Sequence, residues 1–247
     1  MNDRKIFIYT VLLNLFFIQS VSAQHNYKVT YGISKAKMHG SLDSLDDRGK
    51  IFFGKVFDYA QNLNYSLTTS STESFFEEEA DLQKGDLTAL ESILIKSAKR
   101  FPSFHKAVYI SYTKDSITFI KNLVGKDFYV KRGLFDFSWE IKDDQKVILG
   151  YQARRALGSY YEPVTGKTLD VEAWFLPSIP LSSGPDIFVG LPGLIVEIEH
   201  KGAIVSARKI ESLKNIEIEK IENKHPMSQN EFDRLLISLK SKFIDNQ

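Results

Sequence analysis

Apolar side chains recur at every second position in many short segments of this 247-residue chain. Residues 27–33 read YKVTYGI, with an apolar or aromatic residue at each odd position: Tyr27, Val29, Tyr31 and Ile33. Successive side chains of a strand point to opposite faces, so this spacing places one apolar row on one face of a sheet. Segments 63–67, 108–112 and 117–123 repeat the pattern. Such runs, separated by turn residues, are typical of an antiparallel meander or barrel, and the sequence therefore predicts a mainly β fold.

Turn residues separate several of these runs. Lys114-Asp115 lies between the last two of them, which indicates a hairpin. Asp143-Asp144-Gln145 lies between Trp139-Glu140-Ile141 and residues 147–151, so we expect the chain to turn there. Residues 50–57 carry aromatic and β-branched side chains and are predicted to form a further strand.

Two segments have the period of a helix. Ser228 and Glu231 have the spacing of a capping box and are followed by an apolar stripe. The stripe consists of Phe232, Leu235, Leu236, Leu239 and Phe243. A second helix, capped by Asp86, would place Leu90 and Leu94 on one face. The full prediction is an antiparallel meander or half-open barrel packed against a C-terminal amphipathic helix.

The first 23 residues have the features of a secretory signal peptide. Arg4 and Lys5 provide a basic start, residues 6–18 are mostly apolar, and Val21-Ser22-Ala23 supplies small residues at a cleavage site. An uncleaved N-terminal anchor is the alternative. We expect an exported protein, periplasmic or associated with the outer membrane, without a transmembrane span in the mature chain.

Composition limits the class of protein. The 32 Lys and Arg residues balance the 31 Asp and Glu residues, which argues against nucleic-acid binding. The chain has no cysteine, which excludes disulfides, cysteine-ligated metals and a thiol nucleophile. Residues 24–247 are expected to form one domain, since a chain of this length buries about three-quarters of its surface in a single core.

Catalytic and metal-binding motifs are not found in the sequence. The five histidines lack HxH or HExxH spacing, so neither a metal nor another cofactor is predicted. GxSxG, P-loop and GxGxxG motifs are absent, and no catalytic residue is predicted. Glu197 and Glu199 alternate with Val196 and Ile198, which fits the solvated side of an amphipathic strand better than an acid–base pair.

Prolines and glycines are concentrated in one part of the chain. Five of the seven prolines lie between residues 163 and 192, which excludes the centre of a regular sheet. Pro192-Gly193 has the composition of a type II turn, with positive φ expected at Gly193. Leu191 and Leu194 flank this turn and would make its tip unusually apolar.

The same segment carries a resemblance to a known family. Residues 190–195 read GLPGLI, namely Gly190, Leu191, Pro192, Gly193, Leu194 and Ile195. With Trp139-Glu140-Ile141, Ala173-Trp174-Phe175 and Gly184-Pro185 before it, the chain resembles the GLPGLI family of exported bacterial envelope proteins. The resemblance implies a strand-rich fold similar to that of periplasmic lipoprotein carriers, but no assigned function. Gln152 stands where many members carry cysteine, so a thiol role in the family does not extend to this chain.

Three aromatic residues near the motif are candidates for binding. Trp174, Phe175 and Phe188 belong either to the core or to the wall of an apolar cavity. The first hypothesis is a non-enzymatic binding protein whose half-barrel holds a lipophilic group or an extended peptide. The second is an accessory factor that binds another envelope protein, such as an outer-membrane transporter, through an unpaired edge. A hydrolase is the least favoured alternative.

Overall fold

The computed structural model of the chain describes residues 26–36, 45–79, 88–123, 125–214, 216–223 and 225–244. The strands in these residues are β1 (Asn26–Ala36), β2 (Asn64–Thr69), β3 (Glu73–Glu78), β4 (Ala107–Ser111), β5 (Ser116–Leu123), β6 (Lys126–Gly133), β7 (Glu140–Ile148), β8 (Tyr151–Glu162), β9 (Lys167–Leu176), β10 (Leu194–His200), β11 (Ala203–Leu213) and β12 (Met227–Ser228). The helices are α1 (Asp47–Asn62), α2 (Ala89–Ala98) and α3 (Gln229–Ile244). The predicted signal peptide lies outside the described residues.

All these strands belong to one open sheet, so the predicted mainly β fold is confirmed. Their order is β12-β6-β5-β4-β3-β2-β1-β11-β10-β9-β8-β7. Neighbouring strands are antiparallel, except that β12 runs parallel to β6. β1 lies near the middle and pairs with β2 on one side and with β11 on the other. The sheet forms a half-barrel with β12 and β7 at its two ends.

The period-two rows of apolar side chains form the core on the inner face of the sheet. Val29, Tyr31 and Ile33 of β1 are almost completely buried, as the alternation predicts. The C-terminal helix α3 is also confirmed: the Ser228 backbone N–H donates to the Glu231 carboxylate at 2.8 Å and the Glu231 backbone N–H donates to Ser228 Oγ at 3.4 Å, which completes the capping box. Phe232 is buried against aromatic rings of β5 and β6, and the helix therefore covers that end of the sheet.

The strand prediction for residues 50–57 is wrong, because this segment lies inside helix α1. Asp46 caps the helix through a 2.8 Å hydrogen bond from the backbone N–H of Gly49. Val56 and Ala60, four residues apart, are the buried positions. A four-residue spacing fits both the helical and the strand period, so the aromatic pattern did not distinguish them.

The second predicted helix is present with a different start. Asp86 lies outside the described residues, and Thr88 caps α2 through a capping box with Glu91. Leu94 is buried as expected, whereas Leu90 is largely exposed.

Among the described residues, every helix is too short or too polar to span a bilayer.

The turn predicted at Asp143-Asp144-Gln145 is also wrong. These residues belong to the continuous strand β7, whose pairing with β8 shifts register between Ile141 and Gln145. The two aspartates lie within this irregular part of the strand. There Asp143 forms an ion pair with Arg154 of β8, and Asp144 forms one with Arg155. The chain turns later, at Leu149-Gly150.

Candidate functional site

A long connection between β9 and β10 fills part of the inner face of the sheet. It comprises residues 177–193, which we call the plug, and most of its side chains are buried. Backbone hydrogen bonds attach it to the start of β10: Leu194 N–H donates to Ile179 O at 2.9 Å, and Ile195 N–H donates to Ser183 O at 2.8 Å. The GLPGLI motif therefore joins the plug to the central sheet and is not the tip of a hairpin.

Two motif glycines have different roles, and the predicted type II turn at Pro192-Gly193 is wrong. Positive φ, at 99°, occurs at Gly190, whereas Gly193 lies outside the left-handed region. Gly193 is required by packing instead, because a Cβ there would lie 2.3 Å from the backbone oxygen of Leu176. Sequence alone did not distinguish these two reasons for a glycine.

Side chains from distant parts of the chain contact the plug and the start of β10 that follows it. Trp139 Nε1 donates to Val189 O of the plug at 2.8 Å. Tyr31 of β1 donates its hydroxyl to Ile195 O of β10 at 2.6 Å. These hydrogen bonds satisfy backbone carbonyls that a regular sheet would otherwise pair.

The three aromatic residues predicted as candidates for binding occupy different places. Phe188 and Phe175 are each 1% exposed, and the Phe188 ring lies 5.2 Å from that of Phe137, between centroids. Trp174 lies half-buried on the opposite face of the sheet, where its Nε1 donates to Glu172. Lys146 Nζ lies 4.1 Å from the Trp174 ring centroid. The three residues therefore do not form one surface.

The glutamates of β10 lie on that same polar face. Glu197 accepts hydrogen bonds from Lys146 Nζ and from Ser206 Oγ. Val196 and Ile198 are buried, as the alternation predicts for an amphipathic strand.

A buried group of charged side chains connects the plug to the segment before β4. Asp186, at φ 56°, accepts hydrogen bonds from His105 N–H at 3.0 Å and pairs with His105 Nδ1 at 2.8 Å. Lys121 Nζ donates to the carbonyls of Ser103 and Phe104. Burial alone would raise the pKa of Asp186, but the charge and hydrogen bonds of His105 and the nearby Lys121 hold that pKa below its ordinary value.

A second histidine adjoins the plug from β10. His200 Nε2 lies 3.0 Å from the Tyr160 hydroxyl, and the His200 ring packs edge-on against Phe188. Burial and the neighbouring charge of Lys201 lower the pKa of His200 to about 4, although Asp186 and other groups act in the opposite direction. Scattered single histidines gave no spacing signal, so sequence analysis missed both this residue and the His105–Asp186 pair.

The partners of the two buried histidines in the described part of the chain bear on the hydrolase alternative. The hydrogen bonds of His105 and His200 side chains there involve Asp186 and Tyr160, and neither includes a serine hydroxyl. The described residues likewise contain no group of three His, Cys, Asp or Glu side chains placed to hold a metal ion.

The β7–β8 hairpin presents an apolar tip to solvent. Val147 is 66% exposed, Leu149 is 45% exposed and Tyr151 is 39% exposed. The two-residue turn has positive φ at Leu149 (51°) and Gly150 (82°), the pattern of a type I′ turn. We call Val147, Leu149 and Tyr151 the hairpin tip. Because leucine is not a turn residue, the sequence did not place a turn here.

Comparison with known proteins relates the chain to a family and to a fold. The model of a family described as "Protein of unknown function (Porph_ging)" matches residues 159–197, which include the end of β8, all of β9, the plug and the start of β10. No curated protein matches the chain.

Two solved structures share the fold. They are titled "Structure of PNGF-II in C2 space group" and "Structure of PNGF-II in P21 space group", with TM-scores of 0.50 and 0.51. Both are 14% identical and cover 87% and 86% of this chain, respectively. This chain spans 33% of the length of either PNGF-II chain. At this identity the similarity concerns the fold alone, and it places the matched family segment within a half-barrel of this type.

Proposed function

We propose that the protein is an exported, non-enzymatic binding protein that docks on another protein of the bacterial envelope through its hairpin tip. Export rests on the signal-peptide features of residues 1–23. The GLPGLI resemblance supports an envelope location, and the family match over residues 159–197 overlaps that motif.

The observation that carries the proposal is the conformation of Leu149. Left-handed φ is unfavourable for residues with a side chain, and type I′ turns favour asparagine, aspartate or glycine. Six residues other than glycine have positive φ in the described ranges. Leu149 is apolar, whereas the other five are polar or charged: Ser103, Asp115, Ser138, Asp186 and Lys201. A side chain that is unfavourable for the turn and also exposed contributes little to folding, so we infer that it is retained for contact with a partner.

Two neighbours of Leu149 also expose apolar side chains at this end of the hairpin, one on each face, since Val147 pairs with Gln152 and Tyr151 pairs with Ile148. Val147 and Tyr151 lie on the two strands next to the turn and are exposed with it. Exposed apolar groups that cluster at one place mark protein–protein contacts more often than those scattered singly. β7 is also the last strand of the sheet on this side, so the hairpin is free of a further strand among the described residues.

The lipophilic-ligand hypothesis receives less support from the geometry. A carrier needs open space on the inner face of the half-barrel. Here the plug lies on that face, and Phe188 and Phe175 are packed in the core. We therefore favour a partner protein over a lipophilic group.

Site-specific photo-crosslinking in intact cells tests the proposal. A photoreactive amino acid at position 149 should yield one defined cross-linked envelope protein, identified by mass spectrometry. The matched control is position 237 on α3, where Ile237 is 47% exposed, similar to Leu149. The purified partner should then bind the wild-type protein and lose most of its affinity for Leu149→Asn.

Two results would contradict the proposal. One is a cross-linking pattern at position 149 that is no different from that at position 237. The other is unchanged partner affinity in Leu149→Asn. Saturable binding of the purified protein to phospholipid vesicles, lost in Leu149→Asn, would assign the tip to a membrane surface and would also overturn docking on a protein.

A further inference from the structure

The outer edge of β7 carries backbone groups that none of the described strands pairs. β7 is the last strand on its side of the sheet, and its neighbour there is β8. The two strands close at Ile148 and Tyr151, which flank the two-residue type I′ turn. The residues that flank such a turn hydrogen-bond each other, and bonded and non-bonded pairs then alternate along the hairpin. Ile148 and Lys146 therefore direct their backbone groups to β8, whereas Val147 and Gln145 direct theirs away from the sheet.

The backbone N–H and C=O groups of Val147 and Gln145 are in position to pair with an added strand. In β-augmentation, an extended peptide joins the edge of a sheet, main-chain hydrogen bonds hold it, and side chains select it. The two side chains are exposed and lie on one face of β7, because they are two residues apart. An added strand would therefore meet one apolar and one uncharged polar side chain on this face.

The irregularity in β7 limits how far an added strand can extend. Pairing of β7 with β8 is regular from Gln145 to Ile148 and shifts register between Ile141 and Gln145. A bulge interrupts the even spacing of edge groups that a further strand needs. The usable edge is therefore the short stretch 145–148, which suits one short extended segment and disfavours open-ended association of sheets.

Charges beside this stretch favour a basic segment. Lys146 of β7 is already bonded to Glu197. Arg155 contacts both Asp144 at 3.5 Å and Glu172 at 2.6 Å, so one positive charge is shared between two carboxylates. The surroundings of the edge are therefore slightly acidic, and lysine or arginine in an added segment would complement them.

We propose that the partner of the hairpin tip adds an extended segment to β7 as a further strand of the sheet. The segment hydrogen-bonds the backbone of Gln145 and Val147, places an apolar side chain against Val147 and carries a basic residue near Asp144. Because this pairing rests on the proposed docking through the hairpin tip, it specifies the form in which the partner binds. A helix or a folded surface that contacts Leu149 alone would not pair with the edge.

Amide hydrogen exchange, followed by NMR on the purified protein, tests the edge. In the free protein, the Gln145 and Val147 amides should exchange much faster than those of Lys146 and Ile148, which β8 protects. The partner protein captured by cross-linking at position 149 should slow exchange of the two outward amides about tenfold or more.

Three exchange results would overturn the proposal. The first is strong protection of the Gln145 and Val147 amides in the free protein at every concentration, since the edge would then be covered already. The second is unchanged exchange of both amides when the partner is bound. The third is protection that rises with the concentration of the free protein, which would assign the edge to a second copy of the chain.

A proline variant separates main-chain pairing from contact through the tip. Val147→Pro removes an N–H that points away from β8, a position where edge strands tolerate proline, and should weaken partner binding about tenfold. Val147→Thr is the matched control, because threonine keeps the N–H and the branched shape, and it should weaken binding no more than about threefold. If Val147→Pro does not fold, the exchange measurements decide.

The variants also distinguish this proposal from the docking on which it rests. Equal affinities of Val147→Pro and Val147→Thr would overturn strand addition, and loss of binding in Leu149→Asn would then still support docking through the tip. Failure to capture a partner at position 149 above the level at position 237 would overturn both.

Discussion

At the scale of single residues, backbone contacts and backbone conformation determine which substitutions the glycines of the GLPGLI motif tolerate. Gly193 has no room for a side chain, since a Cβ would meet the Leu176 carbonyl. Gly190 has room, because its nearest neighbours are atoms of Trp139 at 3.4 Å, but its φ of 99° is unfavourable for other residues. Gly193 is therefore needed for close packing against β9, and Gly190 is needed for the direction of the chain.

Gly193→Ala should lower the free energy of unfolding by roughly 1–3 kcal/mol, because the plug or β9 must shift to admit the methyl group. Chemical denaturation followed by circular dichroism measures this. Gly133→Ala is the control, since its Cβ would meet only Asp115 O at 3.7 Å. A loss at Gly193 no larger than that at Gly133 would contradict the close packing.

Leu149→Asn should raise the free energy of unfolding by about 0.5–1 kcal/mol, because asparagine tolerates the left-handed conformation better than leucine. Val147→Asn is the comparison, since it removes exposed apolar surface from a strand without relieving backbone strain and should bring no gain. If Leu149→Asn leaves stability unchanged or lower, the turn is not strained and the argument for retention of leucine fails.

At the scale of elements, the strands were predictable and their irregularities were not. Alternation in β1 identified its buried face, and the Ser228–Glu231 capping box identified the start of α3. In β7, Asp143 and Asp144 have the composition of a turn but lie in a strand, where they form exposed ion pairs with Arg154 and Arg155 of β8. Those ion pairs depend on arginines of a neighbouring strand, which local sequence does not reveal.

The plug also illustrates why the candidate site was only partly predictable. Its prolines and glycines correctly excluded a regular strand. Its partners, His105 and Trp139, come from segments far away in sequence. Contacts of this kind follow from the complete topology, so neither the charged group at Asp186 nor the contact of His200 with Tyr160 had a local signal.

Acid should lower the free energy of unfolding through His200, which lies where the plug packs against β10. The pKa of His200 is lowered from 6.5 to about 4 in the folded protein, so the unfolded chain binds more protons between these values. The contribution of His200 is fully present above pH 6.5 and is lost as pH falls through about 4, by roughly 3 kcal/mol in total.

His200→Gln should remove this dependence, since glutamine still has a group to pair with Tyr160 but does not titrate. Free energies of unfolding at pH 7.5 and 4.5 should differ by roughly 2–3 kcal/mol less in the variant than in the wild type. Equal differences in the two proteins would show that His200 is not held neutral by burial.

At the scale of the whole molecule, the plug and the sheet share one hydrophobic core among the described residues. Buried residues from β1 through β11, the plug and α3 form one continuous hydrophobic cluster. Phe188 lies in that cluster beside Phe137 and His200. A carrier with an accessible apolar interior would instead leave such rings exposed to a ligand.

An apolar fluorescent dye should therefore bind weakly to the wild-type protein at neutral pH. Phe188→Ala should lower the free energy of unfolding by about 3–5 kcal/mol and create a dry space that takes up a small apolar molecule. Dye fluorescence and denaturation measure the two effects. Strong, saturable dye binding by the wild type would favour the lipophilic-ligand hypothesis instead.

The pairing of β1 with β11 also determines when the molecule can acquire its shape. Tyr31 and the carbonyl that it contacts are 164 positions apart in the chain, and β1 lacks one neighbour until β11 has been synthesised. Native contacts over such sequence distances slow folding and leave strand edges exposed in the meantime. The first strand of the nascent chain therefore lacks one of its neighbours until β11 has been synthesised. We expect chaperones to bind this exposed strand edge. We also expect the polypeptide to stay loosely structured during any passage through a translocation channel.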